Sequence, residues 1–147
     1  MTELSNQLKS IIEKQVPLLQ NVTEEESAKP LNKEKWSRKE LLGHLIDSAA
    51  NNHQRFIRAQ INAHTELPGY QQENWVRING YQHESWNELV QLSKSYNLHL
   101  AHILARMDES SLNNTVSLDG KQPMTIKFIA EDYVRHLLHH LGQMKLE

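Results

Sequence analysis

The chain of 147 residues contains no cysteine, only five glycines and two phenylalanines, and no long run of apolar residues. Without cysteine it has no disulfide, no thiolate metal ligand and no cysteine nucleophile. Any thiol in its chemistry would therefore come from a substrate. No apolar stretch approaches the length that a transmembrane helix needs, so we expect no association with a membrane.

Long runs of one charge are also missing. The 16 basic and 18 acidic residues are interspersed and leave a net charge of −2. No basic run of the kind that follows a phosphate backbone is present, so nucleic acid is not an expected partner. The first residues lack the basic-then-apolar order of a secretory signal, and we expect a cytoplasmic protein. The length predicts a single domain over residues 1–147.

Apolar residues recur at helical spacing in four segments, which predicts four helices. The first covers about residues 2–21, and Pro17 is expected to kink or restart it. A polar linker separates it from the second. The second helix begins after a capping box of Ser37 and Glu40 and runs to about Ala63.

The third helix is predicted to begin at a second capping box, made by Ser85 and Glu88. Its apolar residues form one stripe that we expect to face the core. The members of that stripe are Leu89, Leu92, Tyr96, Leu100, Ile103, Leu104 and Met107.

The pattern changes between Thr115 and Met124, where apolar and polar residues alternate. Asp119-Gly120 is a strong tight-turn pair, so this segment is predicted to form a small hairpin. Pro123 restricts its second strand to an edge. Thr125 then caps the fourth helix, which runs nearly to the end of the chain.

Four helices of about twenty residues would each be roughly 30 Å long, and the apolar stripe on each favours an all-α four-helix bundle. Two connections are long, about fifteen residues after the first helix and about twenty after the second. Long connections argue against the simplest up-down-up-down arrangement, which uses short loops.

Histidine is the most informative residue type in the sequence. His136 and His140 are four residues apart on the fourth helix, which places both imidazoles on one face. His44, on the second helix, would complete a site of three nitrogens with positions left open for water or substrate. His139 falls on the flank of this face and is predicted to be a rim or surface residue. His53 falls on the apolar side of the second helix, where a core or interface histidine is expected.

The polar residues around His44 allow two interpretations. His44 shares one side of the second helix with Asp47, Ser48, Asn51 and Arg55. Periodicity alone favours a solvated face. However, the group lacks the Lys and Glu that cover exposed helices, and short polar side chains suit a cavity or the surroundings of a metal.

Three further polar residues share a helix face with the candidate histidines. Asp132 and Gln143 lie on the face of His136 and His140. Asp47 and these two are candidates for orienting a ligand imidazole, but the sequence gives none of them a catalytic role.

The chain resembles the DinB-like family of metal-dependent bundle proteins, and within it the YfiT-type metal hydrolases and bacillithiol transferases. The resemblance covers nearly the full length. It rests on Trp36-Ser37, Gly43-His44-Leu45-Ile46-Asp47-Ser48, Asn52, Arg55-Phe56, Gly69-Tyr70, Trp75 and His136-Leu137-Leu138-His139-His140.

This resemblance implies that His44, His136 and His140 bind one divalent metal and that His139 does not. It also implies an up-down-down-up connection and a homodimer. The aromatic residues Tyr70, Trp75, Tyr81 and Trp86 offer more surface than a small bundle covers, which independently favours a dimer.

Three neutral nitrogen ligands leave the charge of the metal uncompensated, so it would act as a strong Lewis acid. Imidazole suits zinc, nickel, copper and iron alike, so the ligand type does not fix the metal. Zinc or nickel is expected. The predicted function is a hydrolase or a thiol S-transferase acting on a small molecule, with a metal-bound hydroxide or substrate thiolate as nucleophile. The substrate of a transferase would include a low-molecular-weight thiol. The alternative is a non-catalytic dimeric metal-binding or interaction module.

Overall fold

The computed structural model describes residues 1–33 and 36–146, and within them four long helices form a bundle. The long helices are α1 (Thr2–Gln20), α3 (Arg38–Ile61), α5 (Trp86–Arg106) and α6 (Ile126–Gln143). Two short helices, α2 (Glu24–Ala28) and α4 (Gln72–Asn79), lie in the connections. Three short strands complete the fold: β1 (His64–Leu67), β2 (Thr115–Leu118) and β3 (Met124–Thr125). The predicted four-helix bundle is confirmed.

The long helices do not pack in chain order. The most extensive contact joins α1 and α5, and α3 lies against both α5 and α6. Large side chains from all four helices fill the centre, where Leu8, Phe56, Leu100 and Leu137 are at most 2% exposed. This arrangement brings α3 and α6, which carry the candidate histidines, side by side.

The boundaries and connections of the first two long helices differ in part from the prediction. Helix α1 continues through Pro17 to its end at Gln20, and α3 ends at Ile61 rather than Ala63. The polar segment after α1 is not simply a linker. Thr23 and Glu26 form a reciprocal capping box that begins α2. This box was not predicted from the sequence, because no apolar run follows it.

The predicted hairpin is confirmed, but it belongs to a larger sheet. β2 and β3 pair antiparallel, and Asp119 and Gly120 have φ values of 54° and 71°, as a tight turn of this kind requires. β1 pairs in parallel with β2, which gives a sheet with the order β1-β2-β3. The strand β1 lies in the long connection after α3, which was expected to be a loop.

The core face of α5 is only partly the predicted one. Leu92 is 44% exposed, whereas Ser93 and Asn97 are buried. Asn97 accepts a hydrogen bond of 2.6 Å from the buried Tyr133 hydroxyl, so two polar groups are paired within the core. At the start of α5, Ser85 accepts the Glu88 N–H, but among the described residues the return bond of a capping box is not formed.

The mid-chain aromatic residues do not form the exposed surface that was predicted. Tyr81 and Trp86 are 5% and 3% exposed, and the Trp86 indole N–H donates to the Leu19 carbonyl oxygen at 2.9 Å. Of the other two aromatic residues, Tyr70 is partly buried and Trp75 is 38% exposed. Within the described residues, no helix is both long enough and apolar enough to cross a membrane.

Candidate metal centre

Three histidine side chains meet where α3 packs against α6. His44 Nε2 lies 3.2 Å from His136 Nε2, which in turn lies 3.1 Å from His140 Nε2. One nitrogen from each of the three rings lies within 4.8 Å of the others. His44 is fully buried, and the indole ring of Trp36 packs 5.1 Å from its imidazole, measured between ring centroids. The cluster could therefore hold a metal ion at the edge of the core.

The two spacings that join His136 Nε2 to His44 Nε2 and to His140 Nε2 match the spacing around a single divalent ion. Two nitrogens bound to zinc at about 2.0–2.1 Å lie about 3.4 Å apart at a tetrahedral angle and about 2.9 Å apart at a right angle. The observed 3.1 and 3.2 Å fall between these limits. Imidazole is a ligand shared by zinc, nickel, copper and iron, so the donor set fits the group without selecting the metal.

The surroundings keep the cluster neutral, which is the form in which imidazole binds metals. Burial lowers the pKa of His44 to about 3, and the neighbouring His136 and His140 act in the same direction. Burial also lowers the pKa of His136 to about 4, with a further contribution from His140. Burial lowers the pKa of His140 as well. All three rings therefore offer lone pairs at neutral pH without first losing a proton.

Gln143, a predicted orienting residue, contacts the cluster directly. Its Oε1 lies 2.8 Å from His140 Nδ1. A carbonyl oxygen only accepts, so this nitrogen carries the proton and Nε2 keeps its lone pair for a ligand. The amide nitrogen of Gln143 lies 3.2 Å from His139 Nε2. His139 is exposed and lies outside the cluster.

Asp47 is buried, but its side-chain hydrogen bonds join it to Tyr81 and Asn79 rather than to the histidines. Its Oδ1 accepts from the Tyr81 hydroxyl at 2.6 Å and from the Asn79 amide at 3.1 Å. Burial raises the pKa of Asp47 to about 6, against the effect of the Tyr81 hydrogen bond. Its second oxygen and His44 Nδ1 are buried atoms with no hydrogen-bond partner among the described residues.

Asp132, the third predicted orienting residue, lies on the surface. It forms an ion pair of 3.2 Å with Arg135, and both side chains are more than half exposed. Its negative charge raises the pKa of His136, in opposition to burial, but no hydrogen bond joins the two side chains in the described structure. Asp132 therefore acts on the cluster through its charge alone.

The solvated-face interpretation of α3 is wrong. His44, Asp47 and Ser48 are at most 3% exposed, and Asn51 and Arg55 are partly buried. The sequence could not decide this, because α4 and the turn after it cover this face from the long connection. Tyr81 and Asn79, which hold Asp47, carry no signal in the sequence that links them to the site.

The other histidines lie apart from the cluster. His53 is only partly buried, and its Nδ1 lies 2.9 Å from the Tyr96 hydroxyl. The ring of His53 also contacts that of His99, which stacks on His102. His64 lies in β1 and bonds to Thr115. None of these four belongs to a metal-binding group within the described residues.

Two cavities adjoin the cluster. His140, with Trp36 and Gln143, lines one of about 540 Å³. His136 lines the other, of about 490 Å³, which extends along α3 past Ser48 to Arg55. The two share no lining residue. Small molecules can therefore approach the histidines from two directions.

Comparison with known proteins places the chain in a family. No curated protein matches the sequence. YfiT from Bacillus subtilis, described as a probable metal-dependent hydrolase with an unusual four-helix bundle topology, superposes with a TM-score of 0.81 at 16% identity. That match covers 95% of this chain and 83% of YfiT.

A mycothiol-dependent maleylpyruvate isomerase superposes with a TM-score of 0.78 at 15% identity. That match covers 99% of this chain but only 59% of the isomerase, so this chain spans the shared bundle and not the whole of the relative. At such identities the likeness concerns the fold, which is the predicted DinB-like bundle. Residues 7–144 match the DinB superfamily in sequence, and the chain therefore belongs to the DinB superfamily.

Proposed function

We propose that this chain is a metal-dependent enzyme that acts on a small molecule, with His44, His136 and His140 binding one divalent ion, zinc or nickel. The observation that carries the proposal is the convergence of three neutral Nε2 atoms between two cavities. An ion held by three neutral nitrogens keeps its double positive charge and supplies a Lewis acid that can polarise a carbonyl or stabilise a thiolate.

The chain's own residues would fix the ligand geometry. Gln143 holds the tautomer of His140 that leaves Nε2 free. Asp47 is our candidate for the same task at His44, because in the described part of the chain its second oxygen and His44 Nδ1 are both buried without a partner. Residues three positions apart share a helix face, so a hydrogen bond between the two would satisfy both. Trp36 covers the His44 ring and limits the access of water.

Between the two reactions, we favour thiol S-transfer over hydrolysis. A transferase binds two substrates, and two separate cavities adjoin different histidines of the cluster. The chain has no cysteine, so the thiol would come from a small molecule. The thiol dependence of the isomerase relative agrees with this choice. Hydrolysis is the second candidate, because YfiT is described as a probable hydrolase.

The test begins with the metal content of protein purified without added metal or chelator. Alanine at His44, His136 or His140 should each reduce metal occupancy sharply. Alanine at His102, which is exposed on α5, is the matched control and should leave occupancy unchanged. Equal occupancy in all four variants would contradict the site.

Activity is then assayed with a low-molecular-weight thiol plus an electrophile, and separately with ester and amide substrates. Thiol transfer that disappears with a chelator and returns with added metal is the expected result. Ester or amide hydrolysis with the same metal dependence would favour the second candidate. Full metal occupancy with neither reaction would favour a non-catalytic metal-binding module.

A further inference from the structure

Arg55 lies on the same face of α3 as His44, inside the bundle's second cavity. The two residues are eleven positions apart, which at 100° per residue brings them within about 20° of each other and roughly 16 Å apart along the helix. Arg55 and His136, a residue of the candidate metal centre, both line the cavity of about 490 Å³. A small molecule in this cavity can therefore reach both.

Arg55 is partly buried, but it has no carboxylate partner in the part of the chain that the structure describes. Its one side-chain hydrogen bond within the described residues, to Asn52 Oδ1, is long at 3.5 Å. Its guanidinium carbon also lies 5.9 Å from the centre of the Tyr70 ring. Most of its five N–H donors therefore have no acceptor in the described structure.

The carboxylates that line the same cavity bind other groups of the protein. Asp119 Oδ1 accepts the Gly69 N–H at 3.0 Å, and Asp132 pairs with Arg135 at 3.2 Å. The neighbouring arginine on α3 is the opposite case. Arg58 is exposed and donates to Gln54 Oε1 at 2.8 Å. In the described structure, Arg55 is thus a positive charge that forms no ion pair with either aspartate of its cavity.

Removing a charged side chain from water without an opposite charge costs free energy. An unpaired arginine in a cavity therefore indicates a binding site for an anion. Arginine stays protonated in proteins, and its planar fork matches the two oxygens of a carboxylate. Burial lowers the pKa of Arg55, which agrees with its desolvation. The amide of Asn52, the Ser48 side chain and the Tyr70 ring also line the cavity and would surround a bound group.

We propose that Arg55 binds a carboxylate of the small-molecule substrate and so directs the rest of that molecule toward His136. This inference rests on the proposed function for its substrate, but the interaction itself does not need the metal. It predicts that the enzyme selects anionic substrates over neutral analogues of the same size.

The experiment measures binding of succinate to the purified protein, with its neutral diamide and inorganic phosphate as comparison probes. The readout is the ¹⁵N-edited NMR signal of the Arg55 Nε–H, which reports directly on the guanidinium, in buffer without other carboxylates. Saturable binding of succinate, and none of the diamide, is expected. Arg55→Gln should weaken succinate binding by roughly 10- to 100-fold, as followed on amide signals of the cavity.

Arg58→Gln is the matched control and should leave binding unchanged. Arg55→Lys keeps the charge and the aliphatic stem but loses the fork, so it should fold and weaken binding less than Arg55→Gln. Unchanged succinate binding in both Arg55 variants would overturn the proposal, and so would equal binding of the diamide. Tighter binding of phosphate than of succinate would overturn the choice of a carboxylate.

Metal content is measured on the same samples, which separates this inference from the proposed function. Wild-type protein that binds metal but shows no dependence on Arg55 refutes the carboxylate site alone. Protein without metal that still binds succinate through Arg55 refutes the metal-dependent function and leaves the carboxylate site in place.

Discussion

Replacing Gly43 with alanine should destabilise the protein by about 2–4 kcal/mol, although alanine is the better helix former. A Cβ atom at this position of α3 would lie 2.0 Å from Cδ2, 2.3 Å from Cγ and 2.6 Å from Cε2 of the Tyr81 ring. These separations are far below van der Waals contact. The ring is 5% exposed, and its hydroxyl donates to Asp47 Oδ1 at 2.6 Å, so it cannot move without losing contacts.

The magnitude follows from what the ring would lose. Truncating a large buried aromatic side chain costs about 3–5 kcal/mol, and a hydrogen bond to a carboxylate is worth about 1.5–3 kcal/mol. Against this, alanine in place of glycine within a helix gains up to about 1 kcal/mol. Since the ring is displaced rather than removed, only part of the loss applies, and the net cost is about 2–4 kcal/mol.

The assay is urea unfolding followed by circular dichroism, on Gly43→Ala, Tyr81→Ala and the double variant. Once Tyr81 is alanine the clash is absent, so Gly43→Ala should then be neutral or stabilising by up to about 1 kcal/mol. Gly142→Ala in α6 is the control, because a Cβ there meets none of the described residues within 4 Å. Gly43→Ala that stabilises the wild-type background as much as Gly142→Ala does would refute the reasoning.

Three further predictions concern other parts of the molecule. Gln143→Leu should lower metal affinity by roughly 10- to 100-fold, measured by competition with a chromogenic chelator, because His140 loses the acceptor that fixes its tautomer; unchanged affinity would contradict this role. The Lys39 amine holds the pKa of Glu24 below its usual range. The stabilisation by the Lys39–Glu24 interaction is therefore present above pH about 4.5 and is lost as the pH falls through the lower pKa of Glu24 in the folded state. The unfolding free energies of wild type and Lys39→Met should therefore converge in acid. A difference between them that does not change with pH would exclude a contribution from this interaction. Sedimentation at micromolar concentration should give the mass of a dimer, since apolar side chains remain exposed on α3 and α5, and a monomer mass would exclude it.

The four long helices could be predicted because their signals are local. A repeat of apolar residues at helical spacing and a capping box at Ser37 and Glu40 depend only on residues a few positions apart. The hairpin could also be predicted, because Asp119-Gly120 favours the positive φ angles of a tight turn, which few other residue pairs adopt. Pairing between β1 and β2 joins segments about fifty residues apart and leaves no local trace.

The burial of the aromatic residues in the long connection could not be predicted from the sequence. In sequence, Tyr81 and Trp86 are large apolar residues between helices, and nothing near them says whether they are exposed. Their burial depends on Gly43, which leaves space for one ring, and on the Leu19 carbonyl oxygen, which accepts from the other. Packing of this kind is a property of pairs that are distant in the chain.

For the candidate site, the sequence by itself determined which residues could bind a metal: a same-face pair on one helix and a third histidine in a polar stretch of another. It also determined that any thiol must come from outside, because the chain has no cysteine. Only the tertiary structure decided that the three nitrogens converge, that the polar face of α3 is buried and that Arg55 lacks a carboxylate partner in the described structure. The reason is physical: helix periodicity fixes the direction of a side chain relative to its own helix, whereas burial and charge pairing depend on what packs against that helix.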